Sequence, residues 1–322
     1  MLDTAEDVID HWHKVPSGPL HGVNPLKVII SATRITSGIS QAFRLLRKVR
    51  PDVIFLTGGW VGIPVALAGQ ILRIPIVIFV PDVEPGRTLK FLGRFASVVT
   101  ATTADTSRYY PGKRVVETGY PLRPELLEAT REQGLAHFGL DEDKRTLLVF
   151  GGSRGSRAIN NVILDHIAAL MAVPDLQILH VSGKLDAEVV RQQHDKLSDD
   201  IKSRYHLYDY VDDFGLALAA SDLVVSRAGA ATIGEFPFFS LPAILVPLAY
   251  EWRYQEVNAD WLASRNAAVR LDESLMDERL VPLIVELLTN AEKMQKLRDG
   301  VKSLSRTDGA DNIARIILDL VG

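Results

Sequence analysis

Short apolar runs rich in Val and Ile alternate along this chain with longer segments in which apolar residues recur at helical spacing. That alternation predicts an α/β fold with parallel sheets covered by helices. A strand buried on both faces reads as a continuous apolar run, while a covering helix repeats with a period of about 3.6 residues. Seven strands are expected: Asp52 to Leu56, Ile76 to Val80, Ser97 to Ala101, Thr146 to Phe150, Gln177 to Val181, Asp222 to Ser226 and Ala243 to Pro247. Most give way to Gly, Ser, Pro or Asp, and the carboxyl ends of strands border the ligand crevice in open α/β sheets. A polar, proline-bearing stretch from Thr118 to Arg145 separates the first three runs from the last four. Two domains are therefore expected, 1–123 and 124–322, divided near Arg123, with the final helix packing back on the first. No internal repeat or low-complexity tract interrupts the pattern.

Composition narrows the function. The 322 residues, 47% hydrophobic and 24% charged, are enough for two ordinary domains. A formal net charge of −4 excludes a general nucleic-acid binder, which needs a basic surface to displace counterions. Without cysteine the chain has no disulfide framework and no thiolate chemistry. The acidic start, "MLDTAEDVIDHWHK", does not read as a signal peptide, and no apolar run reaches the length of about 18 to 20 residues that spans a bilayer.

The stretch "FGGSRGSRAIN", Phe150 to Asn160, places Gly151, Gly152 and Gly155 between a strand and a helix, with Ser153 and Ser156 as hydroxyl donors. It is neither a Walker loop nor a G-x-G-x-x-G fingerprint. Free backbone N–H groups and a helix dipole would favour an anion there; the alternative is a tight turn that needs glycine only for its backbone angles. A second stretch, "VVSRAGAATIGEF", repeats the strand, small-residue loop and helix, with Gly229 in the loop and Thr232 and Glu235 one turn apart. A carboxylate beside an anion site suits ribose hydroxyls, so the pair of loops points to a nucleotide; Glu235 could equally be a solvated residue favoured by the helix dipole.

"FGGSRGSRAIN", "HVSG", "YVDDF", "SRAGAATIGE", "LPAILVPL" and "RYQEVNA" occur in the order and spacing of the nucleotide-sugar domain of the bacterial enzymes that add N-acetylglucosamine to lipid I, the MurG family. "RPDVIFLTGGWVGIPVALAGQILRIPIVIF" and "TGYPLRPELL" resemble parts of that family's acceptor domain. The resemblance implies a GT-B fold of two Rossmann-like domains, the first membrane-facing and the second holding UDP-N-acetylglucosamine. It implies inverting transfer to a lipid-linked muramoyl-pentapeptide diphosphate at the cytoplasmic membrane face. By the same resemblance Ser153 and its neighbouring amides would meet the diphosphate or sugar, Arg123 the diphosphate and Glu235 the ribose. Tyr210 and Val211 would meet the uracil, and Gln255 and Asn258 the sugar hydroxyls, with Tyr254 replacing one Gln of the usual pair. Neither metal nor cofactor is expected.

The first half departs from the family. The "GGTGGH" loop with its His base is absent, and the opening βα units of the first domain are expected to be missing. His11, His13 and His21 lie in no glycine loop. "FVPD" stands where the family has "HEQN", with Val80 in place of Glu and Asp82 in place of Asn. An inverting transfer needs the attacking hydroxyl deprotonated, and Asp82 and Glu84 are the base candidates, with an ordinary acidic turn as the alternative. Another UDP-sugar transferase, a UDP-sugar epimerase or a UDP-sugar-binding chain inactive without a partner remain alternatives. From Leu26 to Arg50 the chain carries Lys27, Arg34, Arg44, Arg47, Lys48 and Arg50 with no acidic residue, while Ile35, Ile39, Ala42, Phe43, Leu46 and Val49 repeat at helical spacing. That segment would suit peripheral attachment to an anionic membrane surface, or else ordinary packing on the sheet.

Overall fold

The computed structural model describes residues 12–19, 24–152, 155–248 and 254–322. Two wholly parallel sheets organise them. The first holds β1 (Ile54–Leu56), β2 (Ile76–Val80), β3 (Val98–Ala101) and β4 (Val115–Glu117), paired in chain order. The second holds β5 (Arg145–Phe150), β6 (Leu176–Val181), β7 (Tyr205–Tyr208), β8 (Leu223–Ser226), β9 (Ala243–Leu245) and β10 (Ala268–Arg270). Its spatial order is β10-β9-β8-β5-β6-β7, so the chain winds outward from β5 to one edge and then from β8 to the other. That is a doubly wound Rossmann sheet whose switch point lies between β5 and β8.

Burial explains the strands. Every residue of β2, β3, β6, β8 and β9 is buried, as expected where helices cover both faces. Within β5, Leu147 and Val149 enter one apolar cluster and Leu148 the cluster on the opposite face. β4, β7 and β10 were not expected from the sequence; each is a sheet edge three or four residues long with partly exposed positions.

The basic segment is a helix, Pro25–Val49. Asn24 caps it by accepting from Lys27 N at 2.9 Å, and Pro25 takes the first turn, where its missing N–H costs nothing. Ile35, Ala42 and Leu46 are buried against the first sheet's core, joined by half-buried Ile39 and Phe43. The basic side chains of Lys27, Arg34, Arg44, Arg47, Lys48 and Arg50 are exposed, as are Ile29, Ile30 and Val49. Packing therefore accounts for the apolar stripe of the helix's C-terminal part, apart from Val49.

Polar contacts tie the two sheet units together. Asp105 accepts from Trp261 Nε1 and from Arg265, both at 2.7 Å. Arg306 lies 3.4 Å from Glu117. Asn312, in the last helix Gly309–Leu318, donates to Thr118 O at 3.2 Å, where β4 ends. The helix Thr232–Phe238 comes so close to Tyr120 that a Cβ on Gly234 would lie 2.3 Å from the tyrosine Cβ.

Candidate functional site

Both glycine loops leave the switch point, the first after β5 and the second after the neighbouring β8. Gly155 N donates to Gly152 O at 2.9 Å, folding the first loop into a turn that delivers Ser156 to the start of the helix Arg157–Asp165. Gly155 has φ +78°, and a Cβ there would sit 2.3 Å from Ser182 O, so only glycine lets the loop rest on the end of β6. Gly151 packs against Gly155 and Ser156 at the loop's base, while the face of Gly152 is open. Ser153 lies outside the described residues, as do His11 and His21.

A cavity of about 170 Å³ opens beside this loop, lined by Arg123, Gly152, Tyr210 and Val211 together with Phe150 and Phe214. The two phenylalanine rings meet edge to face at 4.7 Å, and Lys184 Nζ lies 4.3 Å from the centre of the Tyr210 ring. The cavity thus unites four expected donor residues from loops 123, 152 and 210–211. Phe150 and Phe214 were not singled out as site residues although both stand in the recognised motifs "FGGSRGSRAIN" and "YVDDF".

Arg227, the first residue after β8, joins the two loops. Its guanidinium donates to Ser156 Oγ at 2.9 Å and to Val246 O at 3.2 Å and pairs with Glu273. It too was passed over; its signal was a lone Arg just past a strand end. Gly229 leaves open space where a Cβ would stand. Thr232 is buried and its Oγ1 donates to Gly229 O at 2.7 Å, so its hydroxyl braces the loop from within.

Half-buried Glu235, on the short helix that follows, has its carboxyl pushed up to about 7 by burial, with the Arg123 cation opposing. Tyr120 feels both Glu235 and Asp82: burial, and then these two carboxylates, push its hydroxyl above the ordinary tyrosine range. Asp82, Tyr120, Arg123 and Glu235 therefore share one electrostatic neighbourhood across the cleft.

The remaining candidates divide. Asp82 Oδ1 accepts from Asn258 Nδ2 at 2.8 Å; burial raises the Asp82 carboxyl, and this hydrogen bond partly offsets it. Asn258 is wholly buried and also donates to Ala228 O at 3.2 Å and accepts from Val83 N at 3.1 Å. Those three bonds engage both amide hydrogens and the oxygen between the sheet units. Gln255 Oε1 accepts from Leu248 N at 2.9 Å, leaving its amide hydrogens for other partners. Glu84, the other base candidate, forms a partly exposed ion pair with Lys90 at 2.8 Å. Exposed Tyr254 stands at the start of the helix Tyr254–Ala263.

Two parallel Rossmann-type units, with a cavity beside the first of two glycine loops at a switch point, define a nucleotide-binding class of fold. Residues 146–313 match the model of the glycosyltransferase family 28 C-terminal domain. The UDP-N-acetylglucosamine--N-acetylmuramyl-(pentapeptide) pyrophosphoryl-undecaprenol N-acetylglucosamine transferase of Roseiflexus sp. (strain RS-1) is 34% identical over 349 residues, covering 96% of this chain and 79% of the relative. The transferase of that name from Desulforamulus reducens is 38% identical, covering 90% and 79%. The crystal structure of Acinetobacter baumannii MurG superposes with a TM-score of 0.76 at 22% identity, over 99% of this chain and 88% of that one. The chain belongs to the MurG family of these N-acetylglucosamine transferases.

Proposed function

We propose that this chain transfers N-acetylglucosamine from UDP-N-acetylglucosamine to lipid I, the lipid-linked muramoyl-pentapeptide diphosphate, with inversion at the anomeric carbon, giving lipid II for peptidoglycan synthesis. The convergence of Arg123, Gly152, Tyr210 and Val211 on one cavity at the switch point carries the donor half of this reading. Its 170 Å³ and its phenylalanine walls suit a uracil ring, with the amides of the glycine loop and the Arg123 cation for the diphosphate. The Glu235 carboxylate is the acceptor for the ribose hydroxyls. We assign residues up to about Arg123 to the acceptor side and the remainder to the donor side.

Asp82 is the base in this reading. It lies just past the end of β2, in the neighbourhood of Glu235 and Arg123, and its burial raises its proton affinity, which suits a group that must take a proton from the attacking hydroxyl. Asn258 fixes one of its oxygens and leaves the other for the acceptor.

Among the described residues no helix is long and apolar enough to cross a membrane. The exposed cations of Pro25–Val49, with Ile29 and Ile30 beside them, support peripheral attachment to the anionic cytoplasmic leaflet. Incubation with UDP-N-acetylglucosamine and a lipid I analogue tests the whole. Formation of the disaccharide product supports transfer; conversion of the UDP-sugar without acceptor would mark an epimerase; UDP binding without either would mark a binding chain.

A further inference from the structure

Beneath the first glycine loop runs a chain of buried polar groups outside the donor set described above. Tyr205 OH lies 2.5 Å from His180 Nδ1, His180 Nε2 lies 3.0 Å from Asn160 Oδ1, and Asn160 Nδ2 lies 2.9 Å from Ser182 O. Asn160, His180 and Ser182 are wholly buried and Tyr205 nearly so.

The direction of the chain follows from its end. A backbone carbonyl can only accept, so Asn160 presents its amide hydrogens to Ser182 and its oxygen to His180. His180 must then donate from Nε2, which leaves Nδ1 bare to accept the Tyr205 hydroxyl. Burial pushes the His180 imidazolium down to about 3, so the ring stays neutral and the direction does not reverse at any ordinary pH. A fully satisfied buried chain fixes geometry in a way that an apolar core of the same shape does not, and breaking one link strands the next group without a partner.

What the chain fixes is the seat of the loop. Ser182 O is the atom against which Gly155 rests, and Asn160 lies one turn into the helix that leaves the loop. Gly183, next in line, lines the cavity beside Gly152. Building on the donor site proposed above, we infer that Tyr205, His180 and Asn160 are positioning residues that hold the glycine loop and the first turn of its helix in register for the donor's diphosphate.

The test compares UDP with uridine, because the relay seats the phosphate loop and not the aromatic walls. Calorimetry with both ligands is run on the parent chain and on Tyr205→Phe, His180→Leu, His180→Gln and Asn160→Asp. Asn160→Asp sets an acceptor against the Ser182 carbonyl, and His180→Leu cuts the chain in the middle. Each should weaken UDP binding about tenfold while uridine binding stays within twofold. His180→Gln, whose amide nitrogen can take the place of Nε2–H, should recover most of the UDP affinity. In transfer assays KM for the sugar nucleotide should rise more than kcat falls. Tyr205→Phe removes one hydroxyl and carries the test where a larger change prevents folding. Unchanged UDP affinity in the folded variants, or equal losses for UDP and uridine, would overturn the positioning role. A parent chain that binds neither ligand would instead overturn the donor site itself.

Discussion

Asn258 reaches from the helix Tyr254–Ala263 to the loop after β2, donating to Asp82 Oδ1 at 2.8 Å while its own oxygen accepts from Val83 N at 3.1 Å. One buried amide thus holds the base candidate and its backbone from the opposite side of the cleft. Asp82→Asn should leave UDP affinity within about twofold and cut transfer by about 100-fold or more, since general-base assistance is worth about 100 to 10,000-fold. Parallel calorimetry and single-turnover transfer separate the two; transfer at the parent rate excludes Asp82 as base.

Asn258→Ala has a different expected result. It strands the Val83 N–H and the Ala228 carbonyl in a buried site, at a cost of about 1 to 3 kcal/mol. Denaturant unfolding should show that loss in midpoint, and turnover should fall with it because Asp82 loses its partner. Replacement without either effect would show that the cleft does not depend on this bond.

Glu235 links pH to both stability and binding. Its folded carboxyl titrates at about 7 against an ordinary 4.5, so the native protein keeps a proton that the unfolded chain has already released. The stability from this group is full below about pH 4.5 and is lost as pH rises towards 7. Glu235→Gln should therefore match the parent near pH 4 and exceed it by about 3 kcal/mol near pH 8. Binding runs the other way, because the ribose hydroxyls donate best to the ionised form. UDP affinity of the parent should rise between about pH 6 and pH 8, while Glu235→Gln binds more weakly and without that slope. Calorimetry at three pH values checks both signs.

Removing Arg227 unties the two loops from each other. Arg227→Leu leaves Ser156 Oγ and Val246 O without that donor and Glu273 without its partner cation. Losing a charge-assisted bond costs about 1.5 to 3 kcal/mol, which should appear as weaker UDP binding and a lower melting temperature together. A variant that melts lower yet binds UDP as the parent does would limit Arg227 to a structural role.

The exposed cations of Pro25–Val49 make a surface prediction. Replacing Arg44, Arg47 and Lys48 by Gln should weaken binding to vesicles containing anionic lipid by about 1 kcal/mol per charge, most visibly at low salt. Their side chains are exposed, so melting should not change. Equal vesicle binding by parent and triple variant would remove this helix from the membrane contact.

The seven strand runs were readable because each is an apolar segment with helices expected on either side. β4, β7 and β10 escaped because each is short and mixes Glu, His or Arg with its apolar residues, whereas β1, also an edge strand, is Ile-Phe-Leu throughout. The glycine loops were readable from local spacing, and so was the place of Glu235 in the first turn of the helix after β8. Asn258 was not: its partner Asp82 is 176 residues away, and nothing within "RYQEVNA" tells an amide facing a ligand from one bridging two sheets. Glu84 has a nearer partner, a lysine six residues on. Phe214 and Arg227 stood inside recognised motifs, yet only the fold shows that one walls the cavity and the other ties its loops.

The absence of a side chain at residue 234 has a mechanical consequence. The contact between Gly234 and Tyr120 is steric, so it is indifferent to ionic strength, whereas Arg265–Asp105 and Arg306–Glu117 are half-exposed tethers that salt screens. Concentrated salt should therefore weaken those two tethers while this contact and the buried Asn258 bonds across the cleft stay in place. Even a methyl group at 234 would act as a wedge in that contact, prying the two sheets apart in any buffer.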